Sequence, residues 1–168
     1  GNLKLFASTI TDSHALAVNG ANSEGGGAFV KGYFQALYST VSENTAVAVS
    51  GGYGFGGGAF ASGNVAVENS TISGNQADFV GGLELFSANS YTAAIISSTI
   101  SSNTGTHDYG GIWTNMPLTL TSSTVAFNRS TYGSRRGDGV FSVAPLTLHS
   151  SIIADNVGPI GPSDIDGS

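Results

Sequence analysis

The sequence predicts an all-β chain: a right-handed parallel β-helix, or solenoid, of about six coils with three short strands per coil. Three recurring blocks predict it. A Ser-Thr-aliphatic block returns at Ser8-Thr9-Ile10, Ser39-Thr40-Val41, Ser70-Thr71-Ile72, Ser98-Thr99-Ile100, Ser123-Thr124-Val125 and Ser151-Ile152-Ile153. The intervals are 31, 31, 28, 25 and 28 residues. A glycine pair followed by a short strand returns as Gly26-Gly27-Ala28-Phe29-Val30, Gly57-Gly58-Ala59-Phe60-Ala61, Gly81-Gly82-Leu83-Glu84-Leu85 and Gly110-Gly111-Ile112-Trp113-Thr114, with a looser copy at Gly137-Asp138-Gly139-Val140-Phe141. An alternating strand precedes each Ser-Thr, as in Leu3-Lys4-Leu5, Val65-Ala66-Val67, Leu118-Thr119-Leu120 and Leu146-Thr147-Leu148.

Each block has a physical reading. Strict alternation over a few residues is a strand signal, and corners of two or three residues leave no room for a helical crossover. Apolar strands this short bury their faces only by stacking each on its equivalent in the next coil, about 4.8 Å away. Leu5, Ala36, Val67, Ile95, Leu120 and Leu148 then form one inward column. Ile10, Val41, Ile72, Ile100, Val125 and Ile153 form another. Three residues past each aliphatic of the second column stands an Asn: Asn44, Asn75, Asn103, Asn128 and Asn156, with Ser13 in the first copy. Stacked side-chain amides bond along the stacking axis, so this column is expected to be a buried structural ladder. The glycine pairs are expected to serve positive φ or close approach of adjacent coils.

Composition narrows the function. Charged residues make up 10% of the chain and Lys plus Arg number 5, too few for a phosphate-tracking stripe, so nucleic acid is not an expected partner. The net charge of −6 disfavours an anionic membrane surface, and no apolar run approaches the roughly 18 residues of a membrane span. With no Cys, disulfides and thiolate chemistry are excluded. No cofactor and no metal are expected. Asp164-Ile165-Asp166-Gly167 has the first spacing of a calcium loop but lacks the later ligands. His14, His107 and His149 fall in different columns.

The Gly-Gly-aliphatic motif, alternating with an aliphatic, two residues and Asn, resembles the repeat of polymorphic outer-membrane autotransporter passengers. It is also similar to the wider pectate-lyase-like β-helix superfamily of secreted bacterial proteins. The resemblance spans nearly the whole chain and implies an extracellular or cell-surface location. The closing Ser151-Ile152-Ile153-Ala154-Asp155-Asn156 is similar to the last coils of such surface proteins. The same scaffold carries lyases, hydrolases, adhesins and passive stalks, so it implies architecture more than activity.

Candidate site residues follow from the column after the glycine pair. Its middle residue is expected to face outward, giving the strip Phe29, Phe60, Glu84, Trp113, Phe141. Soluble proteins rarely show a continuous apolar strip, so Phe29, Phe60, Trp113 and Phe141 are candidate binding residues for a glycan or protein partner, unless loops such as 45–56 cover them. Glu84, His107, Tyr109, Arg135 and Asp138 cluster around the strip as weak candidate catalytic residues. Two carboxylates about 5 to 10 Å apart are what a glycosidase requires. A further row, Thr9, Thr40, Thr71, Thr99 and Thr124, with Thr11, Ser42, Ser73 and Ser101 two residues on, resembles the hydroxyl grids of ice-binding solenoids.

The expectation is therefore one domain, residues 1–168, as a segment of a longer solenoid. No cap is readable before Leu3, and bare ends expose sheet edges that flanking coils or self-association would cover. The expected function is a non-catalytic extracellular or cell-surface module for adhesion, structural assembly or glycan and partner binding. A carbohydrate-active enzyme and an ice-binding surface are the alternatives.

Overall fold

A computed structural model describes residues 1–132 and 138–167. The described residues are all-β and form a solenoid of about six turns built from parallel ladders. The first ladder stacks Leu3–Phe6, Phe34–Leu37, Val65–Glu68, Ala93–Ile96, Leu118–Thr121 and Leu146–His149. The second stacks Thr9–Thr11, Thr40–Ser42, Thr71–Ser73, Thr99–Ser101, Thr124–Ala126 and Ile152–Ala154. The ladder after the glycines stacks Ala28–Val30, Ala59–Ala61, Leu83–Leu85, Ile112–Thr114, Val140–Ser142 and Ile165–Gly167. Each coil also carries a further strand that the sequence reading assigns to a corner. It follows the Asn, begins with His14–Ala17 and Thr45–Ala48, and shrinks to two residues from Gln76–Ala77 onward.

The registers place the inward columns as the alternation requires, Leu5 on Ala36 on Val67 on Ile95 on Leu120 on Leu148. The middle coils are sealed, with Val67, Ile72, Ile95, Ile100 and Leu120 fully buried. Leu148, on the outermost strand of this ladder, is 42% exposed.

The Asn column is the spine. Asn75 Oδ1 accepts both the backbone N–H and the Nδ2–H of Asn44, each at 3.0 Å. The same pair of bonds links Asn75 to Asn103, Asn103 to Asn128 and Asn128 to Asn156. The second Nδ2 hydrogen reaches one coil back, Asn103 donating to the Ile72 carbonyl at 3.1 Å. Every polar atom of a buried amide is thus used, as burial requires. Asp164 closes the series: its Oδ1 accepts the N–H and Nδ2–H of Asn156 at 3.0 and 2.9 Å.

The ladder explains the glycine pairs. Neither member of the pairs from Gly26-Gly27 to Gly110-Gly111 has positive φ, so close approach is the reason for them. A Cβ on the first glycine would strike backbone of the neighbouring coil, as Gly81 would strike Thr104. A Cβ on the second would press on the next ladder Asn; on Gly82 it would lie 3.1 Å from Asn103 Nδ2. Asp164 occupies the second-glycine position of the last coil, paired with Gly139, and its side chain reaches the slot the next Asn would fill.

A second hydrogen-bonded column runs through the serines. The N–H groups of Ser39, Ser70 and Ser98 donate to the hydroxyls of Ser70, Ser98 and Ser123, and each hydroxyl donates to the carbonyl two residues before it. The residue before every such Ser has positive φ, from Ala7 at 45° to Ser150 at 48°. The residue before every ladder Asn does too, and only Gly74 in that column is a glycine. Each coil therefore turns sharply at two left-handed corners, with a Ser or an Asn bonding along the stack just after each.

Asn103→Ala leaves partners on both neighbouring coils unpaired in a dry interior, so it is expected to cost at least about 3 kcal/mol, read as a lowered thermal midpoint. Phe127 is an exposed left-handed corner residue, with φ of 58°. Phe127→Gly is expected to raise the midpoint, by about 0.5–1 kcal/mol after glycine's entropy is set against the relieved strain.

Candidate functional site

The aromatic column holds the register its spacing requires: Phe29 pairs with Phe60, Phe60 with Glu84, Glu84 with Trp113, and Trp113 with Phe141. Phe29 is exposed, while Phe60, Trp113 and Phe141 are half-buried. Phe29 and Phe60 pack with ring centroids 5.5 Å apart. Trp113 stacks on Phe86 at 5.9 Å.

Glu84 differs from its neighbours in the column. It is buried, at 7% exposure, where the alternation alone would set it in solvent. The cause is a second row of side chains on the other side of the glycine corner. Glu24 pairs with Phe55 in a small two-stranded sheet, Phe79 follows in the next coil, and Asp108 in the one after. The two rows meet at the glycine corner and enclose a cleft of about 270 Å³ lined by Phe55, Phe79, Glu84, Phe86, Tyr109 and Trp113, among others. A continuation of about 250 Å³ reaches Asn22, Glu24 and Phe60. Asp78 sets part of the wall, its Oδ2 accepting the N–H groups of Ala48 at 3.0 Å and Gly54 at 2.7 Å. The loop it ties delivers Phe55, which stacks on Phe79 at 5.1 Å. Residues 45–56 thus contribute Phe55 to one side of a groove whose far side is the strip.

At the floor, Glu84 Oε2 is buried without a hydrogen-bond partner. Desolvation, and secondarily the charge of Glu24, pushes the Glu84 carboxyl up to about 8.

The weak catalytic candidates separate. Glu84 and Tyr109 line the same cleft, and Tyr109 packs against the Phe141 ring at 4.6 Å. His107 does not line it; its ring stacks on Phe79 at 6.3 Å and meets Tyr132 edge-on at 6.1 Å. Asp138 stands in the first-glycine column, paired against Gly110, and is buried. Burial raises its carboxyl above the ordinary range, while the hydroxyls of Ser130 and Ser163 pull it back. Arg135 lies outside the described residues. The second wall row was not singled out in the sequence, though an aromatic one or two residues before the glycines (Phe55, Phe79, Tyr109) marks it.

No group of three or more His, Asp or Glu suited to a metal occurs among the described residues. The Thr row is in register from Thr9 to Thr124, pairs next with Ile152, and lies on a different ladder from the groove. Compared with family models, curated proteins and solved structures, the chain matches none.

Glu84→Gln tests the burial. A carboxyl raised in the folded state favours folding most below its unfolded value, and that contribution is lost as pH rises through the folded value. The parent is thus expected to lose stability between about 4.5 and about 8, and Glu84→Gln to flatten that fall and melt higher at alkaline pH.

Proposed function

We propose that this chain is a non-catalytic binding module at a cell surface or outside the cell, a rigid solenoid that presents the aromatic groove to a glycan or protein partner. The observation that carries the reading is the groove: aromatic side chains on two facing rows, held by a hydrogen-bonded spine and partly open to solvent. Aromatic rings offer large apolar area with few rotatable bonds, which suits recognition of a sugar face or an apolar partner. The extracellular placement is supported by the likeness of the repeat to autotransporter passengers and β-helix secreted proteins. Of the candidate catalytic residues described, only Glu84 and Tyr109 line the cleft, and most of the rest of its lining is aromatic, which favours binding.

Trp113 is the chain's single Trp, so its fluorescence reports on the groove without a label. Iodide is expected to quench it in the free protein. In a screen of oligosaccharides and peptides, a bound ligand is expected to shift its emission to the blue and shield it, with no turnover of polysaccharide. Trp113→Ala is expected to weaken that binding at an almost unchanged thermal midpoint. Absence of iodide quenching would mean a closed groove and would overturn the reading, as would polysaccharide cleavage abolished by Glu84→Gln.

A further inference from the structure

We infer that the deep part of the groove takes an organic cation, an ammonium group seated between the aromatic walls against the Glu84 carboxylate. The inference rests on the groove being a binding surface and names the chemistry of its ligand. Three observations carry it. The first is the unpartnered Glu84 Oε2, buried at the cleft floor, since a carboxylate removed from water is stabilised chiefly by an opposite charge. The second is the wall. Phe55, Phe79, Phe86, Tyr109 and Trp113 line the same cleft as that carboxylate, and the negative faces of aromatic rings attract cations. The third is sign. The charged residues lining the two connected parts of the cleft, among those described, are Glu24, Glu84 and Asp108, all acidic.

The strip itself supplies an example of the contact. The Lys31 ammonium sits 5.4 Å from the centroid of Phe29, the first ring of the same column. A hard metal ion fits less well, because it seeks several oxygen ligands and no acidic group of three suited to a metal is present among the described residues. A neutral sugar would meet the hydrogen-bonding capacity of Glu84 but not the charge that Glu84 carries once ionised. An ammonium group meets both.

The coupling to protons has a definite sign. Besides Glu84, the titratable groups facing the cleft are Glu24 and Asp108 on the opposite row and Tyr109; Phe60 and Trp113, its partners in the ladder, do not titrate. A cation favours ionised Glu84, so its binding expels a proton and tightens as pH rises through about 8.

The test uses choline and neohexyl alcohol, the uncharged isostere in which carbon replaces the nitrogen. Binding is followed by the Trp113 indole N–H signal in NMR, on the parent and on Glu84→Gln. Choline is expected to shift the signal saturably, and the alcohol to bind at least about tenfold more weakly. Glu84→Gln is expected to lose about tenfold or more of the choline affinity while holding the alcohol as the parent does. Equal affinity for the two probes, or choline binding indifferent to Glu84→Gln or to pH, would overturn the cation inference and leave the groove standing as a binding surface. No response to either probe would also overturn it. The groove reading fails separately, if iodide cannot reach Trp113.

Discussion

The structure depends on a match between one amide and one missing side chain. A ladder of Asn side chains is compact enough to run through the solenoid only if the strand facing it has no Cβ where the amides lie. Gly27, Gly58, Gly82, Gly111 and Gly139 supply that absence, each against the Asn of the next coil. Remove the glycine and the ladder is crowded; remove the Asn and buried N–H and carbonyl groups lose their partners. The two blocks that dominate the sequence are therefore halves of one contact. The remaining columns, Leu, Ile and Val, fill the space that this contact fixes.

The groove grows from the same geometry. The glycine corner brings two rows of side chains together at a concave angle, and whatever extends from both sides of the corner must face its counterpart across it. On the first and second coils the facing row begins with Glu24 and Phe55, and on the next two it continues with Phe79 and Asp108. Glu84 is buried for that reason and not by its own strand, since on an open ladder its position belongs to solvent. A stiff spine on one side and a row drawn from four successive coils on the other keep the carboxylate from solvent, which an exposed flexible surface would not sustain.

Much of the fold is legible in the sequence because the repeat is nearly exhaustive. Positions such as Ile72, Ile100 and Val125 keep their distance from the following Asn whatever the coil length, so register and face follow from counting. The strand after the Asn is less legible: as Gln76–Ala77 or Thr104–Gly105 it is too short to show alternation. The serine column reads as polar filler until the left-handed residue before each Ser is seen, because Ala7, Tyr38, Asn69 and Ser97 share a backbone conformation and no chemistry. At the site, the strip Phe29, Phe60, Trp113, Phe141 was readable from spacing alone. The wall was not, since Phe55 and Phe79 arrive on segments of unequal length between the Asn and the glycines. Asp164 shows the same limit. Beside Asp166 it suggests the start of a cation loop, and only its place opposite Asn156 shows it to be the ladder's terminus.

The ladder also gives the molecule an electrical direction. In every Asn of the column the oxygen faces the preceding coil and the nitrogen faces the following one. Side-chain dipoles aligned in this way add along the axis, much as peptide dipoles add along a helix, whereas the strands of a sheet contribute little net dipole of their own. The positive pole falls at the last coil, and the group waiting there is the carboxylate of Asp164. A fold built wholly from strands thus acquires a polarity usually associated with helices, with an anion at the pole that attracts one.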